Sequence, residues 1–323
     1  MIRTAESVSP MHPDKICDRI SDAILDELLR QDPNCRVGVE AMGGHGVIVV
    51  TGEVTTSGYV NVRQVVQNLL GGKYGVHINI VEQSAEIASG VDTGGAGDQG
   101  IMVGYATNET PELMPREVML ARQLNRHIFE KHGSKSDGKT QVTYDTKTGE
   151  LLAVVASFQN VSKDVLKKDI TDWAGSKRLK LKTSGIYCNP AGDWHIGGFE
   201  ADTGLTGRKQ VVDNYGPRIP VGGGCFSGKD PTKVDRSAAY MARRVAVDYL
   251  RKHNAQEVFS YLAYAIGKSE PLQATVIVDG QEMVIEGYDL TPKGIIDFLD
   301  LRKPQYEITA RYGHFGNGFT WDK

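Results

Sequence analysis

The alternation of apolar and polar positions divides this chain into helices and strands before any chemistry is considered. From Pro13 to about Leu29, Ile16, Ile20, Ala23, Ile24 and Leu28 recur at helical spacing and make one apolar face. Pro13 suits the first helical position, and Asp14 suits the positive N-terminal dipole. Strands are predicted over Arg36–Met42 and Val47–Val54, joined by the glycine-rich turn at 43–46. A helix over Val60–Leu70 and a strand over Val76–Val81 follow. Thr140–Tyr144 and Leu151–Phe158 read as a hairpin around Lys147-Thr148-Gly149, with a helix over Lys163–Trp173 after it. Lys209–Asp213 reads as a short strand and Val234–Arg251 as a long helix. Ala274–Val278 and Glu282–Glu286 flank Asp279-Gly280, a hairpin turn signal. Leu290–Leu301 reads as a helix with Thr291 as N-cap and Pro292 just inside.

Strands and helices thus recur in three similar clusters, near 13–81, 116–173 and 209–301, with no sequence period between them. Antiparallel hairpins favour α+β layers over a doubly wound parallel sheet. Long glycine-rich connections at 84–104 and 189–208 separate the clusters. Loops of this length inside a compact domain are usually functional or disordered, and their wealth of Asp, Gly and Arg favours function.

Composition narrows the class. A chain of 323 residues has room for two or three domains and a sizeable core. Its net charge of −3 argues against a general nucleic-acid or membrane binder, which would need a basic face. The first residues hold no apolar stretch of a signal peptide, and no apolar run approaches the length of a membrane span. Cys17, Cys35, Cys188 and Cys225 are scattered without metal or disulfide spacing, as expected of reduced thiols in the cytoplasm.

Within that acidic background one segment stands out. Gly222–Asp230 (GGGCFSGKD) is rich enough in glycine for backbone N–H groups to close around a phosphate chain, and Lys229 adds a cation. Lys233 and Asp235 follow at the start of the long helix. Gly223–Lys229 has the spacing G-x-x-x-x-G-K, but Asp230 stands where a P-loop carries the Ser or Thr that holds Mg²⁺. Polyphosphate binding by another route is the expectation, set against a glycine-rich surface turn beside a solvated lysine.

Other positions could carry chemistry. His12 precedes a helix N-terminus, where a phosphate or metal–phosphate could sit, although capping alone is the commoner fate of such a residue. Asp14, Asp18, Asp22 and Asp26 are four apart and form a stripe along that helix. Most of the stripe is expected to be a solvated face, with Asp14 alone a candidate ligand for a hard cation such as Mg²⁺. Asp202–Lys209 (DTGLTGRK) pairs a carboxylate with Arg208 and Lys209, a phosphate grip or a local salt bridge. Asp137-Gly138-Lys139 is a turn feeding a strand. Trp194 could stack on a purine or pack in the core. Glu40 and Glu53 lie within strands.

Taken together, HPDK at 12–15, TGEVTT at 51–56, GAGDQG at 95–100, YATNET at 105–110, DTGLTGRK at 202–209, GGGCFSGKDPTKVDRSAAY at 222–240 and RYGHFG at 311–316 resemble the motif series of the S-adenosylmethionine synthetase (methionine adenosyltransferase) family. They occur in family order, and the resemblance covers residues 6 to 322. It implies an α+β fold of three interleaved, similar subdomains with pseudo-threefold symmetry, divided near 1–95, 96–188 and 189–323. Their sheets would pack against a second subunit, with the sites between subunits. The implied assembly is a homodimer, with a dimer of dimers left open, and neither nucleic acid nor membrane as partner.

The implied reaction is attack of the L-methionine sulfur on C5′ of ATP. Tripolyphosphate is released and then hydrolysed to pyrophosphate and phosphate, with two Mg²⁺ ions and K⁺ as cofactors. By resemblance, His12 donates to the oxygen leaving C5′. Asp14 and Asp235 hold Mg²⁺, and Glu40 holds K⁺. Lys139, Arg208, Lys209 and Lys229 take the phosphate chain, with Asp137 and Cys225 also lining the ATP site. Trp194 stands where the family's stacking aromatic, usually Phe, lies on adenine. Glu53, Ser89, Asp98, Asp202 and Lys233 orient methionine, Asp202 being shared with ATP.

The chain is shorter than usual members, with losses inside 84–100, between Arg122 and Asp137, and after Trp321. Ser89 aligns with the family's methionine-contacting Gln in a shortened lid, from which weaker methionine retention and some leakage of tripolyphosphate are expected. Two rivals remain at this level. A P-loop-like NTPase would make ADP, and a non-catalytic relative would bind nucleotide without turnover.

Overall fold

The computed structural model describes residues 1–83 and 94–323. Ser89 and most of the segment read as a lid therefore lie outside the described residues. The first part of the chain runs β1 (Ile2–Val8), α1 (Pro13–Leu29), β2 (Arg36–Gly44), β3 (Val47–Thr55), α2 (Val62–Leu70) and β4 (Gly75–Val81). Next come β5 (Gly100–Thr107), α3 (Arg116–Lys131), β6 (Gly138–Asp145), β7 (Glu150–Phe158), α4 (Lys163–Ser176), β8 (Lys180–Leu181) and β9 (Ile186–Cys188). The last part comprises β10 (Gly204–Leu205), α5 (Gln210–Asp213), α6 (Val234–His253), β11 (Glu257–Tyr264), β12 (Gln273–Val278), β13 (Gln281–Val284), α7 (Pro292–Leu299) and α8 (Thr309–Tyr312).

One connectivity occurs three times: a helix, an antiparallel hairpin and a second helix. The sets are α1-β2-β3-α2, α3-β6-β7-α4 and α6-β11-β12 with α7 after β13. Each hairpin's first strand takes an antiparallel neighbour from a distant part of the chain. β10 pairs with β2, β1 with β6, and β5 with β11. This exchange of edge strands is the interleaving, and it yields three sheets: β10-β2-β3-β4, β1-β6-β7-β8 with β9 also on β7, and β13-β12-β11-β5. The α+β class follows. Among the described residues, parallel pairing is confined to the strands that add to β3 and β7 after a crossover.

Local chemistry explains most boundaries. Asn61 caps α2 through Gln64 N–H, so that helix starts two residues later than its apolar pattern indicates. Asp279 and Gly280 both have positive φ, as a two-residue hairpin turn requires. One element differs in kind from its prediction. Residues 210–213 are a helical turn, with Asp213 N–H on Lys209 O and Asn214 N–H on Gln210 O. Val211-Val212 favours a strand locally, but the chain has already left the edge of β2 at Gly207, and residues 210–213 close hydrogen bonds on their own backbone instead of joining a ladder.

The cores are two. One joins the first and last units, from Ile16 and Val39 to Tyr240, Val258 and Trp321. The other fills the central unit around Leu124, Phe158 and Trp173. In the central unit, buried Asp169 on α4 accepts from Lys131 at 2.5 Å and pairs with His132 at 2.7 Å, tying α4 to α3. Burial opposes its ionisation, but these two partners outweigh burial and hold the carboxyl below its usual range. A depressed folded pKa contributes stability that is present above the unfolded value, about 3.9, and is lost as pH falls through the folded one. Asp169→Asn should therefore lose stability at neutral pH and approach the parent as the pH falls below about 3.9. Urea midpoints measured across that range check this, and a gap constant with pH would contradict it.

Among the described residues no helix is long and apolar enough to cross a membrane.

Candidate active site

The site is organised by α1. His12 caps it: its Nδ1 accepts the Asp14 N–H at 3.2 Å, and Pro13 occupies the first helical position. The four aspartates that follow are not a solvated face. Asp14, Asp18, Asp22 and Asp26 are all buried. Each accepts a backbone N–H from a remote segment. Asp14 takes Leu205 at 3.0 Å, Asp18 takes Gly207 at 2.8 Å and Asp22 takes Gly228 at 2.8 Å. Asp26 takes both Tyr306 and Glu307 at 2.9 Å. A spacing of four puts carboxylates on one helical face. It does not say whether water or other loops' amides meet that face.

The same loops also complete the free edge of β2. β10 pairs with Met42 and Gly43, and Thr206 N–H donates to Ala41 O. Further along, Gly228 O accepts Val39 N–H, Lys229 bridges to Gly38, and Asp230 N–H donates to Val37 O. The two segments are thus set between two rulers, α1 and β2. Their pairing positions, Gly38 and Met42, lie about 14 Å apart at ~3.4 Å per strand residue. Close approach demands glycine at two places. A Cβ on Gly204 would fall 2.2 Å from Pro13 backbone, and one on Gly228 1.9 Å from Val39 O, at φ +82°.

The first segment gathers one half of the predicted residues. Lys209 Nζ donates to Asp14 Oδ2 at 2.6 Å, and the exposed Arg208 guanidinium lies 3.6 Å from Oδ1. Burial works against ionisation of Asp14, but Lys209 and the Leu205 amide hold its carboxyl below the usual range. Burial, helped by Lys209 and Lys139, lowers the His12 imidazole to about 3, against the opposing pull of Asp14 and Asp202. His12 is therefore neutral at physiological pH. Because its Nδ1 accepts, its ring proton sits on Nε2. Lys139 stands in β6 opposite Ser157, whose Oγ accepts the Trp194 Nε1–H at 3.1 Å. Asp137, beside them, accepts Gly198 N–H at 3.0 Å.

The second segment gathers the other half. Lys229 Nζ donates to Asp235 Oδ2 at 2.5 Å. Burial disfavours the Lys229 charge, but Cys225, Asp235 and Asp98 outweigh it and raise its pKa. Gly224 leaves room for Asp235, since a Cβ there would fall 2.1 Å from the carboxyl carbon. Lys233 donates to buried Asp230 at 2.6 Å, and its Cε and Glu53 Oε2 flank the empty side of Gly38. Cys225 packs against Gly207, where the two segments meet. Burial pushes its thiol up, as do the charges of Glu40 and Asp18, against Lys229. Glu40 itself is exposed on β2.

Asp14 and Asp235, the two carboxylates expected to hold Mg²⁺, therefore each already face a cation expected to hold phosphate. Among the described residues no three His, Cys, Asp or Glu side chains converge as a metal-binding group. Asp14 and Asp235 instead offer single carboxylates beside cations. That suits an ion such as Mg²⁺, which takes one or two carboxylates and completes its shell with phosphate oxygens and water. The arrangement can grip a long polyanion and place a neutral N–H donor against one of its oxygens. Sequence reasoning missed the partners that hold the loops: Asp18, Asp22, and Arg236 on α6. Their signal was the unbroken four-residue spacing of acids on a helix whose other face is apolar.

Comparison with known proteins finds matches over nearly the whole chain. Family models for the N-terminal, central and C-terminal domains of S-adenosylmethionine synthetase match residues 1–86, 93–194 and 196–323. The S-adenosylmethionine synthase of Clostridium tetani (strain Massachusetts / E88) is 42% identical, over 97% of this chain and 93% of its own length. That of Sorangium cellulosum (strain So ce56) is 43% identical, over 99% and 87%.

Proposed function

The chain belongs to the S-adenosylmethionine synthetase family and is a methionine adenosyltransferase, and from that premise we propose that it couples ATP and L-methionine by direct displacement at C5′. A methionine sulfur lone pair forms the S–C5′ bond as the C5′–O bond breaks, and its electron pair leaves on the tripolyphosphate oxygen. The thioether carries no proton, so no general base is needed. What the site must supply is alignment and stabilisation of the departing charge.

The observation that carries this reading is His12: buried, neutral, with Nδ1 occupied and only Nε2–H free, amid Lys139 and Lys209. A neutral donor can hydrogen-bond the leaving oxygen without competing for metal. Lys139, Arg208, Lys209 and Lys229 bind the phosphate chain, and Asp137 and Cys225 line the nucleotide's place. Trp194, held by its Nε1–H to Ser157, offers its ring face to adenine. Asp98, Asp202, Glu53 and Lys233 orient methionine. Ser89 completes that set in the proposal by alignment alone. Asp14 and Asp235 would hold Mg²⁺, which supplies charge neutralisation on the phosphate oxygens when bound. Glu40 is the one candidate for K⁺, a single exposed carboxylate, and no step depends on it.

The proposed assembly is a homodimer in which a second copy covers the open sheet faces. Outward Met42, Val47 and Ile101 on β2, β3 and β5 are exposed apolar residues in keeping with that. Incubation with ATP, methionine, Mg²⁺ and K⁺ should give S-adenosylmethionine, pyrophosphate and phosphate together, and only when methionine is present. Mass spectrometry of the products decides. ADP as the main product would select a P-loop-like NTPase, and binding without turnover a regulatory relative. A fully active monomer by light scattering would overturn the shared-site assembly.

A further inference from the structure

Lys229 owes its place to a buried ion pair, Asp22 and Arg236, neither of which is itself assigned to substrate. Asp22 and Arg236 are both fully buried. Their pairing is bidentate: Arg236 Nη1 donates to Asp22 Oδ1 at 2.6 Å and Nη2 to Oδ2 at 2.8 Å. Each partner also grips the backbone of the glycine-rich segment. Asp22 Oδ1 accepts Gly228 N–H at 2.8 Å, and Arg236 Nη1 donates to Lys229 O at 3.0 Å. The Gly228–Lys229 unit is thus held at both ends by one pair. Its intervening peptide is pressed against Val39 O, where no Cβ fits.

Arg236 is held in turn from every side. Its Nε donates to Tyr240 Oη at 3.0 Å, its Nη2 lies 3.3 Å from Thr309 Oγ1, and its guanidinium lies 4.1 Å from the Tyr306 ring centroid. Asp22 is also one rung of the α1 ladder. Asp14 and Asp18, the rungs before it, hold the Arg208–Lys209 loop. Adjacent rungs lie about 6 Å apart at 1.5 Å per residue, so Asp14 to Asp22 spans about 12 Å. That agrees with the separation of the two loops along β2.

We propose that Asp22, through its pair with Arg236, is the positioning residue that aims the Lys229 ammonium at the phosphate chain. This rests on the reading of Lys229 as a phosphate-binding group. A buried ion pair adds little net stability over a well-packed apolar substitute, so fixed geometry is what it contributes. Loss of such supporting contacts typically weakens a site without removing any group that touches the ligand.

The test is calorimetric titration with inorganic tripolyphosphate and Mg²⁺, well below each variant's Tm. Asp22→Asn should weaken binding by about tenfold or more, as misplacement of a binding group does. Asp169→Asn removes an equally buried carboxylate from the central unit and should stay within about twofold, as a purely structural change does. Equal affinity in these two variants would overturn the proposal. If Asp22→Asn does not fold, Tyr240→Phe decides. It frees Arg236 Nε while keeping the charge pair, and should weaken binding about threefold. Unchanged binding there would overturn the proposal equally. Lys229→Ala separates the two levels. If it leaves tripolyphosphate affinity intact, the assignment of Lys229 to phosphate fails. If it weakens binding and Asp22→Asn does not, the positioning role alone fails.

Discussion

His12→Ala is expected to slow S-adenosylmethionine formation by roughly 10²–10³-fold, the scale of losing one hydrogen-bond donor to developing charge. ATP affinity should change little, because the departing oxygen carries its charge mainly in the transition state. The pH dependence has a defined form. Burial, with Lys209 and Lys139, lowers the imidazole to about 3. Nε2 therefore carries its proton as part of a neutral ring throughout the working range. The ratio of parent to variant rate should stay flat from about pH 5 to 9, with no inflection near 6.5. A ratio falling above pH 6.5 would show that imidazolium is the donor. Equal losses in ATP affinity and turnover would reassign His12 to its cap, where Nδ1 holds the Asp14 N–H. Single-turnover rates and nucleotide titrations across that range make both distinctions.

Arg243→Ala should cost about 3–5 kcal/mol, the scale of breaking a buried pair by removing one partner. Arg243 lies fully buried in α6. Its Nε donates to Asp322 at 3.0 Å, Nη1 to the carbonyls of Tyr105 and Leu113, and Nη2 to that of Glu112. Removal takes a donor away from three carbonyls and a carboxylate. That carboxylate also receives Gly316, Asn317 and Gly318 N–H groups, so the segment from 316 to 322 loosens with it. The neighbouring Trp321 ring, stacked 3.8 Å from Tyr240, should then gain solvent. Lys293→Ala removes one partner of an exposed pair with Asp297 and should stay within about 0.5 kcal/mol. Urea midpoints with a common slope measure both. A loss under about 1 kcal/mol for Arg243→Ala would mean water replaces its bonds.

Periodicity and turn chemistry found α1, α2, α4, α6, α7 and three hairpins, because those are set by neighbours in the chain, though they did not find α3. Ile16, Ile20 and Ile24 mark α1 by spacing alone, Asp279-Gly280 marks its hairpin by the positive φ both residues adopt, and Thr291 marks the start of α7 by its cap. The glycine-rich segment at 222–230 and the motif series around it also lie in the sequence, because a phosphate cradle and the family both show as contiguous residues. The exchange of β1, β5 and β10 between sheets could not be read. An edge strand carries the same alternation whichever sheet accepts it. The strand expected at 209–213 failed because propensity does not decide pairing: Val211-Val212 has strand propensity, but the segment bonds to its own backbone as a helical turn. Above all, the stripe Asp14, Asp18, Asp22 and Asp26 has the same spacing whether water or protein meets it. Only the fold brings the amides of Leu205, Gly207, Gly228 and Tyr306 against those carboxylates. Local sequence determined which residues share a face of α1. Tertiary structure decided what that face holds, because burying a carboxylate requires donors from segments up to 281 residues away.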